Sequence, residues 1–188
     1  MSNIHYASIR SLDISNGEGV GTALFVQGCP FNPHCYNCFN PETWDFNGGK
    51  EWTQETEDKF IKLSSRPYIK RISVLGGEPL ADENLTGVLK LVDKIRLLLP
   101  NKTIWIYSGY TFDEIFENSN IAVDDITLNA YENYKKRQKI IHMCNILVDG
   151  KYIDSKRDMS LKWRGSNNQR VIDIKKSLQQ NKIVLYCS

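Results

Sequence analysis

Residues 21–40 read GTALFVQGCPFNPHCYNCFN, an apolar run of strand length that ends in a glycine and opens into three closely spaced cysteines. The run 21–27 is short, apolar and closed by Gly28, which predicts a buried strand delivering a cysteine loop. Cys29, Cys35 and Cys38 have the spacing C-x5-C-x2-C, and Pro30, Asn32, Pro33, His34 and Asn37 make the stretch loop-like. A loop this compact can bring three thiolates onto one metal centre. The competing reading is a set of buried free thiols, since cysteine is among the most buried residue types.

Outward from that loop the chain alternates element types. Thr53 is placed to cap a helix running to about residue 64, with Phe60, Ile61 and Leu63 apolar. Residues 71–75 (RISVL) form a strand that stops at Gly76-Gly77, followed by Glu78-Pro79. A helix over 83–98 shows Leu85, Val88, Leu89, Val92, Ile95 and Leu99 at helical spacing. Residues 103–107 (TIWIY) make a third strand ending at Ser108-Gly109, residues 111–117 begin a helical turn, and a strand over 145–148 ends at Asp149-Gly150. This order predicts an α/β fold with a mostly parallel sheet, as a layer or an open barrel. Ligands in such folds sit at the carboxyl ends of strands, so the cysteine loop and the turns at 76–77, 108–109 and 149–150 share one rim. Residues 131–139 (YENYKKRQK), with Lys135, Lys136 and Arg137, read as a solvated helix face or loop. From 178 the chain reads as a polar helix end and a short strand over 183–186.

The 188 residues suit one domain, and 41% apolar with 24% charged residues is an ordinary globular balance that excludes wholesale disorder. A net charge of +2 gives no nucleic-acid footprint, so no nucleic-acid partner is expected. No apolar run approaches the ~20 residues of a bilayer span; Lys90, Asp93, Lys94 and Arg96 interrupt the best candidate, residues 88–99. The first 15 residues lack the apolar core of a secretory signal, which makes the cytoplasm the expected compartment. Five cysteines, three of them within ten positions, fit metal or redox chemistry there better than a disulfide framework.

Which metal is open at this level. Zinc wants four ligands, which His34 or Cys144 would have to complete, although His34 adjoins Cys35 and reads better as a loop residue. An iron-sulfur cubane with three cysteines keeps one iron open to a small molecule. Gly76 and Gly77 permit positive φ and close approach of backbone to a ligand. Glu78 can face an ammonium group, with Pro79 biasing it toward extended geometry.

Together these residues resemble the radical S-adenosylmethionine (SAM) enzymes, and within them the anaerobic ribonucleoside-triphosphate reductase activating proteins. The resemblance runs through NGEGVGTALFVQGC, CYNCFNPETW, SVLGGEPL, IWIYSGY, NILVDGKYI and SLKWRGSNNQRVID. It implies one radical SAM domain over 1–188, a compact partial (β/α) barrel with a C-terminal extension from about 170. It also implies that Cys29, Cys35 and Cys38 hold a 4Fe-4S cluster whose fourth iron takes SAM, with Asn37, Cys38, Phe39, Gly76, Gly77 and Glu78 at the SAM site. The implied chemistry is reductive cleavage of SAM to a 5'-deoxyadenosyl radical that makes a glycyl radical on the reductase large subunit. A flavodoxin or ferredoxin would be the electron donor, and no side chain need act as acid or base. The family's usual spacing is C-x3-C-x2-C, so the first gap here is two residues longer, around Asn32-Pro33. Asn37 stands where an aromatic residue often precedes the third cysteine, and Phe39 is the candidate for adenine packing. Residues 163–168 are expected to line the rim or meet the reductase, and Cys144 to be a packed thiol. Two other readings stay beside this one: an activase of another glycyl-radical enzyme or peptide, and a zinc-stabilised interaction module without catalysis.

Overall fold

The computed structural model describes residues 4–116 and 128–187. In chain order the elements are β1 (His5–Asp13), β2 (Gly21–Val26), a 3-10 turn (Pro41–Thr43), β3 (Lys50–Glu51) and α1 (Gln54–Ser64), then β4 (Arg71–Gly76), α2 (Asp82–Leu98), β5 (Thr103–Ser108) and α3 (Phe112–Phe116). They continue with α4 (Leu128–Met143), β6 (Ile146–Asp149), β7 (Arg170–Asp173), α5 (Ile174–Gln180) and β8 (Leu185–Cys187). Residue 117, the end of the expected helical turn, lies outside the described residues.

The eight strands of the described residues join one open sheet in the order β3-β1-β2-β4-β5-β6-β7-β8. The expectation of a mostly parallel sheet holds for its middle: β2-β4, β4-β5 and β5-β6 pair in parallel. At both flanks it does not hold, because β1, β3, β7 and β8 add antiparallel strands. The missed strands have a physical reason. β1 reads HYASIRSLD and is mostly half-buried or exposed, so it carries no apolar alternation. β7 has only four residues, and its Arg170 and Asp173 flank just two apolar positions.

Side-chain alternation separates two faces. Leu24, Val26, Ile72, Val74, Ile104, Ile106, Leu147 and Ile172 join one core cluster with Phe60 of α1, Leu85 and Val88 of α2, Ile115 of α3, Ile140 and Ile141 of α4 and Ile174 of α5. The alternate residues, Ala23, Phe25, Leu75, Trp105, Ile146, Val148 and Val171, form two smaller clusters on the opposite face. α1 begins where expected, with Thr53 Oγ1 accepting from the Thr56 amide at 3.2 Å. The polar stretch 131–139 lies on α4, which buries Asn133 besides Ile140 and Ile141. Among the described residues no helix is long and apolar enough to cross a membrane.

Parallel pairing of β2, β4, β5 and β6 sets the expected rim. Val26 is in register with Gly76, and Ser108 with Asp149, so the segments leaving all four strands emerge at one end.

Candidate functional site

At that end the root of the cysteine loop is bound to the turn after β4. Gly77 N donates to Val26 O at 2.9 Å and Glu78 N to Gly28 O at 2.7 Å, while Gly28 N donates to Thr43 O and Cys29 N to Trp44 O. Gly76 has φ +116°, which glycine adopts without strain. Gly77 is glycine for a different reason: a Cβ there would lie 2.3 Å from Gly28 O and 2.7 Å from Thr43 O. The close approach that the glycine pair permits is therefore first of all to the protein's own backbone.

Glu78 is 1% exposed. Its Oε1 accepts from Leu80 N at 2.9 Å and Ser108 Oγ at 2.8 Å, and its Oε2 from Gly109 N at 2.7 Å. Burial pushes its pKa up to about 7, opposed by those three donors. These three donors restrain the carboxylate. A carboxylate offers about four acceptor positions, and three donors are in place here. Asn84, 3% exposed on α2, ties both segments together by donating to Gln27 O and Glu78 O. An asparagine on an otherwise apolar helix face is a readable sign of such a role, and the sequence reading passed over it.

Cys29, Cys35 and Cys38 are all half-buried and line one cavity of about 560 Å³ together with Phe39, Gly76, Gly77 and Glu78. Burial is the first cause raising the Cys29 thiol to about 11, and it raises Cys35 as well. Both are protonated at neutral pH until a metal displaces the proton. Among the described residues no three His, Cys, Asp or Glu side chains converge closely enough to hold a single metal ion. The thiols stand around shared space instead. Three sulfur donors on the wall of a cavity within the ~300–1,000 Å³ typical of cofactor sites suit a cluster with a small molecule beside it.

The remaining loop residues are placed as follows. His34 stacks on Trp44 at 4.2 Å and 15°, in keeping with a loop rather than a ligand role. Asn37, φ +53°, is exposed and is not part of the cavity wall; a left-handed residue between Cys35 and Cys38 is a position asparagine tolerates. Phe39 is 54% exposed, and its ring packs on Tyr152 at 4.9 Å. Cys144 is buried in the main core with its pKa raised to about 12, and Cys187 packs against the cluster of Trp105, Ile146, Val148 and Val171.

The 149–150 turn is anchored by charge. Buried Asp149 accepts from Arg170 Nε at 3.0 Å, from its terminal nitrogen at 2.5 Å and from Phe112 N at 2.7 Å. Arg71, fully buried, donates to the carbonyls of Asp13, Asn16, Glu18 and Gly19 and to the Asp13 carboxylate. It thereby holds the 13–19 loop on the open face of the sheet, where Ser15 and Asn16 reach the cavity. Neither role was read from sequence, because the partners of Arg71 are mostly carbonyls more than 50 residues away.

The chain is similar to known proteins over most of its length. Residues 15–172 match the family model described as "4Fe-4S single cluster domain". The anaerobic ribonucleoside-triphosphate reductase-activating protein of Escherichia coli K12 is 38% identical over 170 residues, covering 89% of this chain and 97% of that one. The proteins of the same name from Vibrio cholerae and Enterobacteria phage T4 are 36% and 30% identical, each over 168 residues, covering 88% and 89% of this chain and 96% and 93% of theirs.

Proposed function

We propose that this chain, which belongs to the family of anaerobic ribonucleoside-triphosphate reductase-activating proteins, activates its reductase as a radical SAM enzyme. The observation that carries the reading is the gathering of three cysteines, the Gly76-Gly77 turn and buried Glu78 on one cavity at the carboxyl ends of parallel strands. The reading takes the parallel middle of the open sheet as the core of a partial (β/α) barrel and the chain as one radical SAM domain.

In this reading Cys29, Cys35 and Cys38 would hold a 4Fe-4S cluster, with one iron left without a cysteine for SAM. So loaded, the site would supply the one-electron reductive cleavage of SAM to methionine and a 5'-deoxyadenosyl radical, which would leave as 5'-deoxyadenosine after taking a hydrogen atom from a backbone glycine of the reductase large subunit. The protein's own work is positional. Gly77 and Glu78 fix the cysteine-loop root through backbone bonds, and Glu78 lines the cavity for the SAM ammonium group. Phe39 offers an exposed ring for adenine, and the apolar residues Phe25, Leu75 and Val148 line the cavity and limit water around a radical. A flavodoxin or ferredoxin is the proposed electron donor.

The test is anaerobic incubation of the reconstituted protein with SAM, a reductant and the purified reductase. The expected result is a glycyl-radical EPR signal on the reductase that depends on both SAM and Cys29. Cluster-loaded protein that cleaves SAM but leaves the reductase without that signal would send the reading to another glycyl-radical partner.

A further inference from the structure

Two of the described side chains with a buried, unpartnered polar atom, Tyr107 (Oη) and Arg164 (Nε), line the cavity. Buried polar atoms in native proteins almost always have partners, so an orphaned donor on a cavity wall points to a group that arrives with a ligand.

Arg164 is firmly presented. Trp163, just before it, has φ +59°, a left-handed conformation that a bulky residue keeps only when its surroundings fix it. Its ring is fixed, edge-on to Trp105 at 5.1 Å and beside Tyr186 at 6.0 Å. On the other side Gly165 N donates to Gln169 Oε1 at 2.9 Å, and a Cβ on Gly165 would lie 2.5 Å from the Phe39 ring. Arg164 thus sits on a turn wedged between the open sheet face and the cysteine loop. The nearby carboxylate of Asp158 acts on Arg164 through charge, while its Oδ1 takes the amide and hydroxyl of Ser160 and the Arg164 Nε has no bonded acceptor. Next to this turn, Met159 is 77% exposed and forms part of the cavity wall.

Resting on the activase reading above, we infer that Arg164 is a substrate-binding residue. It donates from Nε to an acceptor oxygen of the reductase polypeptide that carries the target glycine, and the Trp163 turn forms the wall of the cavity where that polypeptide enters. A glycine whose backbone must come close to the reacting centre brings its flanking carbonyls with it, and a planar guanidinium is suited to such acceptors.

The test uses the cluster-loaded protein with the cluster oxidised, so that SAM is not consumed, and measures two affinities for Arg164→Ala and Arg164→Lys: that for the purified reductase in the presence of SAM, and that for SAM alone. Iron and sulfide content report that each variant is folded and loaded. The expected result for Arg164→Ala is a reductase Kd weakened about 10-fold with the SAM Kd unchanged. Arg164→Lys, which keeps the charge but lacks the Nε donor, recovers only part of the loss. Unchanged reductase binding, or a matching loss of SAM affinity, would overturn the inference, the latter by moving Arg164 to the cofactor. If the unsubstituted protein itself fails to bind the reductase, the activase reading fails first and this inference with it.

Discussion

The turn at 76–78 and the cysteine loop face one cavity, yet they are held in opposite ways. The turn is internally complete: Gly77 and Glu78 donate to the β2 end and the loop root, and the Glu78 carboxylate takes three donors. Beyond Cys29 the loop is held by fewer backbone bonds, among them Cys38 N to Cys35 O at 3.2 Å and Asn40 N to Cys38 Sγ at 3.4 Å, and by ring contacts of Phe31, His34 and Phe39, while its Tyr36 and Phe39 are 76% and 54% exposed. A segment held mainly by surface ring contacts and a few bonds is lower in local stability than one fixed by buried backbone and carboxylate bonds. The contrast teaches that the protein pre-forms one wall of its site and leaves the other to be fixed by what it binds.

The largest effect that sharpens this contrast is on the loop. Replacing Cys29, Cys35 or Cys38 with Ala is expected to abolish 4Fe-4S binding, whereas Cys144→Ala leaves iron and sulfide content intact, because Cys144 lies in the main core. Loss of the cluster in Cys144→Ala alone would remove the three-cysteine assignment. On the turn, Glu78→Ala deprives Leu80 N, Ser108 Oγ and Gly109 N of their acceptor and is expected to destabilise the cluster-free protein by about 3 kcal/mol in urea. Cluster-free Cys35→Ala should change that value little, since its loop contributes few bonds. If the loop substitution proved as costly as the turn substitution, the contrast would be lost.

Glu78 also carries a pH signature. Its folded-state pKa, about 7, lies above the usual 4.5, so the neutral carboxyl is favoured by folding. The stabilisation linked to that proton is complete below about pH 4.5 and is lost as pH rises through 7. The stability difference between the unsubstituted protein and Glu78→Gln, which does not titrate, should therefore fall across that window and level off above it. A smaller effect is expected at Gly77→Ala, where the new methyl must displace Gly28 O or Thr43 O: about 2 kcal/mol, with reduced cluster loading. Smallest is Phe39→Ala, expected to weaken SAM binding about 3- to 10-fold by equilibrium dialysis. Full SAM affinity in that variant would remove adenine packing on this ring.

The parts legible in the sequence are those governed by local rules. The four parallel strands, α1 with its Thr53 cap and α2 follow from period and capping, and the shared rim follows from strands running the same way. The parts that were not legible depend on long-range pairing. β1 hides its role because most of its side chains are half-exposed, and its place beside β2 is decided by backbone pairing. Within the site, Cys29, Cys35, Cys38 and Glu78 could be picked out by type and spacing. Arg164 entered only as one of the stretch 163–168 that the family resemblance puts on the rim, and Tyr107 not at all, since what distinguishes both is a polar atom without a partner, a property of the folded cavity alone.

The central claim is that the loop cysteines leave one iron open for SAM beside the pre-formed turn. It is tested most directly by low-temperature EPR of the anaerobically reconstituted, dithionite-reduced protein with and without SAM. The account predicts a reduced 4Fe-4S signal whose shape changes when SAM is added, and which is absent in Cys29→Ala. A 4Fe-4S signal that does not respond to SAM would contradict it and leave the cluster a structural or electron-transfer centre.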